Sequence, residues 1–324
     1  VLYYIVRRLL QGLFVFVVVL IFSFSLQYFL PHGALNPAYL VCAEHRTAGC
    51  INSFATKYGL NLPYLVRLWD YIWGVFVHQN LGLSFHDSPP QVTGILSLYI
   101  PRTFWLAFSS LVLAVVIGLP LGIYQAWRRN RPFDYVATGV SFILYSTPAF
   151  VLGFLLLDAF AINTLHLPDS PPSGVHPWAM FTDPKGFLLP VITLTALSVA
   201  GLSRFMRSSV IDVLVQDYVR TARAKGCSTR QILFGHTFRN ALGPIVTIIG
   251  LNIPTLLSGA LIVEEVFNYA GLGVITINAA STSDVMVVLG VTVIVTAATV
   301  IGNLMADLSL VFINPRIRIE GSAR

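Results

Sequence analysis

Few residues in this chain could do chemistry, and their spacing excludes most catalytic centres. A phosphate-binding loop needs lysine directly after glycine and before serine or threonine. The three lysines, Lys57, Lys185 and Lys225, follow Thr56, Pro184 and Ala224, so none can serve. No His-Glu-x-x-His zinc motif occurs. Gly271-Leu272-Gly273 precedes Val274, where an intramembrane aspartyl protease would need aspartate. Gly201-Leu202-Ser203 precedes Arg204, where an intramembrane serine protease would need glycine. Cys42, His45 and Cys50 are too sparse for structural zinc. The chain therefore reads as a non-enzyme with no catalytic, cofactor-binding or metal-binding residue to assign.

What remains is a basic segment. Asp217 can cap a short helix through Tyr218, Val219, Arg220, Thr221, Ala222, Arg223, Ala224 and Lys225, which Gly226 ends. Ser228-Thr229-Arg230-Gln231 then has the capping-box form and starts a second helix that carries Ile232, Leu233 and Phe238. Two capped helices meeting near Gly226 predict a folded docking element. Ala222 and Ala224 would form a small-residue surface, with Arg220, Arg223 and Lys225 around it. The plainer alternative is a solvated basic loop.

The elements that hold this segment are apolar. Of 324 residues, 56% are hydrophobic and only 10% charged, with mean hydropathy +0.75. Soluble domains carry roughly 25% charge, so a soluble enzyme, a disordered chain and collagen are excluded. Six stretches without Asp, Glu, Lys or Arg are each at least 18 residues long, close to the roughly 20 that a bilayer-spanning helix needs. They predict spans at 9–30, 103–127, 135–160, 187–206, 241–262 and 286–311. The first is too long for a signal-peptide core and lacks a clear cleavage site. A seventh uncharged stretch, 266–283, is rich in Asn, Gly, Ser and Thr and reads as a re-entrant or surface loop. Three regions follow: 1–102, the first span and a large outer loop; 103–313, a five-span core with a cytoplasmic segment at 207–239; and a tail at 314–324.

Fifteen of the 20 basic residues fall on one side of this map. By the positive-inside rule that side, with both termini, is cytoplasmic. The net charge of +6 thus reflects topology, and no nucleic-acid partner is expected. Cys42 and Cys50 fall in the outer loop, where the compartment is oxidising, and are expected to pair; two free thiols are the alternative. Downstream, Leu65, Leu68, Trp69, Ile72, Val75 and Phe76 recur at helical spacing after Asn61-Leu62-Pro63, predicting a helix at the outer interface. The proline-rich stretch 166–186 reads as an irregular outer connection. Gly243, Pro244, Gly250, Pro254 and Gly259 interrupt the fifth span, and such breaks suit a helix lining a shared pathway.

Several fragments carry a resemblance. YVRTARAKG at 218–226 and HTFRNALGPIVT at 236–247 resemble the cytoplasmic coupling segment of ABC importer permeases. YIVRRLLQ at 4–11, YGLNLP at 58–63, NLGLS at 80–84 and IPRT at 100–103 resemble landmarks of one subgroup, the first permease subunit of the dipeptide/oligopeptide/nickel family. SGALIVEEVF at 258–267, GLG at 271–273, NLMAD at 303–307 and NPR at 314–316 continue the likeness. One departure stands out: Arg220-Thr221-Ala222 occupies the place of the general Glu-Ala-Ala motif. The resemblance implies an all-α membrane protein, a type I ABC importer permease with six transmembrane helices in a bacterial inner membrane. It implies a heterodimer with a second permease, two cytoplasmic ATPases that bind ATP and Mg, and an extracytoplasmic binding protein. Residues 218–226 would couple to an ATPase. Peptides are the implied cargo, with nickel chelates, glutathione or oligosaccharides as alternatives. An ion-coupled secondary transporter would need ionisable groups deep in its spans, and the uncharged stretches disfavour it.

Overall fold

The structure, a computed structural model, describes residues 2–29, 42, 47–85, 91–162 and 185–313. Among them the chain is helical, and its one β contact is an isolated bridge between Leu83 and Gln91. The helices are α1 (Leu2–Phe29), α2 (Ala48–Lys57), α3 (Tyr64–Val77), α4 (Val92–Trp127), α5 (Pro132–Ser146), α6 (Ala149–Leu156), α7 (Lys185–Leu214), α8 (Asp217–Ala224), α9 (Phe238–Val266), α10 (Leu272–Ser281) and α11 (Val285–Ile313). Two π-helical segments, Leu157–Ile162 and Gln231–Thr237, extend α6 and lead into α9. Among the described residues, four helices are long and apolar enough to cross a membrane, or five if α5 and α6 count as one bent span.

The third predicted span is broken. α5 and α6 meet at 105°, with Thr147 extended (ψ 124°) ahead of Pro148. The proline ring disfavours helical backbone at the residue before it, so the uncharged run cannot continue as one straight rod. The second span differs in the other direction. α4 starts at Val92 and runs through Pro101 and Pro120 to Trp127, eleven residues ahead of the expected start. α7 likewise continues to Leu214, so the first part of the predicted cytoplasmic loop is helix. The uncharged stretch 266–283 holds α10, ten residues long and too short to cross a bilayer at 1.5 Å per residue. The predicted connection at 166–186 lies almost wholly outside the described residues.

α4 and α7 pack closely side by side. α9 lies against α7 and α11, while α1 leans on α11 from outside. One apolar cluster joins α1, α3, α4, α10 and α11 through Leu20, Phe24, Tyr71, Leu96, Leu272 and Leu289. Another joins α4, α7 and α9 beneath the basic segment through Leu119, Ile123, Met206, Val210, Leu233 and Ile245.

In the predicted outer loop Cys42 and Cys50 form a disulfide, buried beside Phe54 and Phe85. Closing so short a loop contributes about 2–3 kcal/mol in the chain-entropy model. Mass mapping of unreduced peptides should therefore recover the two cysteines linked; free thiols at both positions in fresh membranes would contradict the pairing. α3 begins at Tyr64, with Pro63 just outside it at the N-cap position. Tyr71 stacks on Phe24 of α1, and Leu65, Trp69, Trp73 and Phe76 stay exposed.

Candidate functional site

The basic segment folds as an independently capped helix. Gly226 has φ +80°, a left-handed conformation that glycine adopts without a Cβ penalty. Its N–H donates to Arg223 O and that of Cys227 donates to Ala222 O. These two bonds are the Schellman closure, which satisfies carbonyls the helix end would otherwise orphan. Two residues after Gly226, the Ser228 N–H donates to Gln231 Oε1 at 2.8 Å and the Gln231 N–H donates to Ser228 Oγ at 3.3 Å, a reciprocal capping box. The start of α8 differs from expectation. Gln216 occupies the N-cap position with extended backbone, and Asp217 is the first helical residue. Asp217 favours the helix through its charge at the positive end of the dipole and makes a 3.7 Å pair with Arg220.

α8 has two faces. Val219 and Ala222 are buried, three apart and so on one side. Tyr218, Arg220, Thr221, Arg223, Ala224 and Lys225 are exposed. The expected pair of surface alanines is therefore split. Residues two apart on a helix point about 200° away from each other, so Ala222 faces its own chain while Ala224 faces out, between Arg220 and Lys225. Tyr218 ties the helix to α9, its hydroxyl accepting from Asn240 Nδ2 at 2.9 Å. Farther up, Arg207 of α7 makes two 2.7 Å bonds to the buried Asp134 of α5, whose Oδ2 also accepts the Asn130 N–H. α8 is thus bonded to α9 through Tyr218, and α7 to α5 through an ion pair.

A second constellation, centred on Glu264, is not visible in the charge pattern of the sequence. Glu264 is fully buried. Its Oε1 accepts from Thr103 Oγ1 at 2.6 Å and its Oε2 from the Gly273 N–H at 2.6 Å. Thr103 Oγ1 in turn accepts the Leu272 N–H at 2.8 Å. The carboxylate therefore clamps α4, the end of α9 and the first turn of α10. A Cβ at Gly271 would lie 2.3 Å from Glu264 Oε1, and one at Gly273 2.6 Å from Leu261 Cα; only glycine permits this approach. A similar clamp forms at Asp284, which accepts from Ser84 Oγ and from the Phe85 N–H. Three of the sequence landmarks, IPRT, EEVF and GLG, meet at Glu264, and NLGLS meets Asp284. The nearest sequence signal is the landmarks themselves, because the Thr103–Glu264 and Ser84–Asp284 contacts join residues more than 150 positions apart.

Comparison with known proteins fits this arrangement. Residues 118–319 match the family model described as binding-protein-dependent transport system inner membrane component, and residues 1–107 match the N-terminal model of such components. The chain belongs to this permease family. The oligopeptide transport system permease protein AppB of Bacillus subtilis is 34% identical over 97% of this chain and 98% of its own length. The glutathione transport system permease protein GsiC of Escherichia coli K12 is 34% identical over 98% of this chain and 99% of its own. Among solved structures, the inward-facing MetNI methionine ABC transporter covers 71% of this chain and 100% of its matched chain at TM-score 0.57 and 16% identity. That likeness concerns the fold, which is that of an ABC importer permease. The protein is a multi-pass membrane permease subunit and not the ATPase of its system.

Within this permease the predicted pathway residues take different positions. α9 is one continuous helix from Phe238 to Val266, so Pro244 does not break it. Pro244 is exposed and the Cβ direction at Gly243 is open. Gly250 is a packing residue, since a Cβ there would lie 2.1 Å from Ala306 Cβ of α11. Pro254 and Gly259 fall within 251–259, where side chains lie outside the description.

Proposed function

We propose that this chain is the first permease subunit of an ATP-driven importer of short peptides in a bacterial inner membrane. It pairs there with a second, related permease. The observation that carries the reading is the near-full-length similarity to both an oligopeptide and a glutathione permease, since glutathione is itself a short peptide. α8 is the piece that an ATPase grips: Ala224 allows close approach and Arg220, Arg223 and Lys225 meet acidic side chains. Closure of an ATP-loaded ATPase pair pushes on α8, and the clamps at Asp134 and Glu264 make the helices rock as blocks. The pathway then opens alternately to each side. Two ATPases and an extracytoplasmic binding protein complete the machine, and ATP and Mg are bound by the ATPases.

The test is reconstitution with the ATPases, second permease and binding protein encoded alongside it. Proteoliposomes should take up radiolabelled di- and tripeptides only with ATP and binding protein; uptake of a nickel chelate or oligosaccharide instead would replace the cargo assignment. Sidedness is checked separately. Cysteine introduced by Thr229→Cys should react with an impermeant thiol reagent only from the cytoplasm, and by Asn61→Cys only from outside. Reversed labelling would overturn the topology and the coupling mechanism with it.

A further inference from the structure

Arg204 does not stay among the cytoplasmic charges. Its guanidinium lies 4.1 Å from the centre of the Phe142 ring and 5.0 Å from that of Tyr145 on α5. Those residues sit eight and eleven positions along α5 from Asp134, or about 12 and 16 Å at the helical rise. Asp134 is held by Arg207 at the end of α5 where the basic residues cluster. Tyr145 also covers Gly201, its Cε2 being 3.9 Å from the Cβ direction there. Three residues beyond Tyr145, at Pro148, the helix breaks with the 105° bend.

Two physical arguments then converge. A cation at that depth is costly in lipid and faces a bundle interior or a water-filled cavity. A broken helix is tolerated in the bilayer only where protein or such a cavity satisfies its backbone. Arg207 is neutralised by Asp134, whereas no carboxylate among the described residues forms an ion pair with Arg204. Arg204 is half-buried and the Phe142 and Tyr145 rings are exposed, so one side of the group is open. We infer that Arg204, walled by Phe142 and Tyr145, is a carboxylate-binding station in the cytoplasmic half of the pathway. The guanidinium takes the carboxylate of a peptide, and the rings take its adjoining side chain. This rests on the peptide-import reading above and deepens it.

The test uses the assembled complex in a Cys227→Ser background. With Phe142→Cys and Arg204 retained, an anionic, membrane-impermeant thiosulfonate should label position 142, beside the guanidinium, from the cytoplasmic side. A peptide with a free C-terminus should slow labelling several-fold, and its C-terminal amide should not. Arg204→Gln should lower peptide uptake about tenfold or more, the loss expected for a charge-assisted bond, with binding-protein-stimulated ATP hydrolysis retained and Arg204→Lys partly restoring uptake. Absence of labelling would place the residue in lipid or packed protein and overturn the inference. Labelling that peptide does not slow, but short-chain anionic phospholipid does, would assign the guanidinium to a headgroup phosphate and overturn it too. Wild-type uptake by Arg204→Gln has the same consequence. If the Cys227→Ser parent itself imports no peptide, the cargo reading falls; if the parent imports and only the Arg204 results fail, the station alone falls.

Discussion

Ala224→Trp is expected to abolish both peptide uptake and binding-protein-stimulated ATP hydrolysis while leaving the complex assembled. Ala224 points away from the buried pair Val219 and Ala222, and a Cβ-only side chain at the centre of an outward face leaves room for a partner surface. An indole there holds the partner off without touching this chain's own packing. The neighbouring substitution should behave differently. Ala222→Trp forces a large ring into a site with 8% exposure; overpacking of this kind costs about 1–3 kcal/mol, and membrane abundance should fall along with transport. Gly226→Val should unravel the end of α8, since a left-handed backbone costs an L-residue roughly 1–2 kcal/mol. Uptake near wild type in Ala224→Trp, at equal abundance, would return the segment to a solvated loop.

The other large effect is expected at Glu264. Glu264→Ala strips acceptors from the buried Thr103 hydroxyl and Gly273 N–H, at about 1–3 kcal/mol for each orphaned donor, and leaves a cavity besides. The variant should show a lower midpoint of thermal unfolding in detergent and reduced abundance in the membrane. Glu264→Gln, nearly the same shape and still an acceptor, should be milder. Gly273→Ala should match Glu264→Ala in severity, because its Cβ meets backbone of α9 at 2.6 Å. If both variants melt with wild-type midpoints, the clamp between α4, α9 and α10 contributes nothing to stability.

Local signals in the sequence were readable and long-range ones were not. Gly226 and the Ser228/Gln231 pair announce their helix ends because a cap involves residues three or four apart. The inward turn of Ala222 is legible as well, since Val219 and Ala222 have same-face spacing. An uncharged run carries no information on direction, so residues 135–160 predict one span where the chain bends by 105° ahead of Pro148. Thr103, Glu264 and Gly273 belong to three helices and obey no common period; only the folded chain shows that one carboxylate joins them. Arg204 is a related case: the sequence places it in the last turn of the fourth predicted span, and only the folded chain shows its long side chain against two aromatic rings of α5.

The central claim is that the outward face of α8 is gripped by an ATPase. Site-specific photocrosslinking tests it most directly, with a benzophenone amino acid placed at position 224, 219 or 229 of the chain in the assembled complex. The outward position 224 should crosslink to an ATPase subunit, more strongly when ATP closes the pair, and the buried position 219 should crosslink only within this chain. ATPase adducts absent at 224 in both nucleotide states, with lipid or solvent products in their place, would contradict the coupling role of the helix.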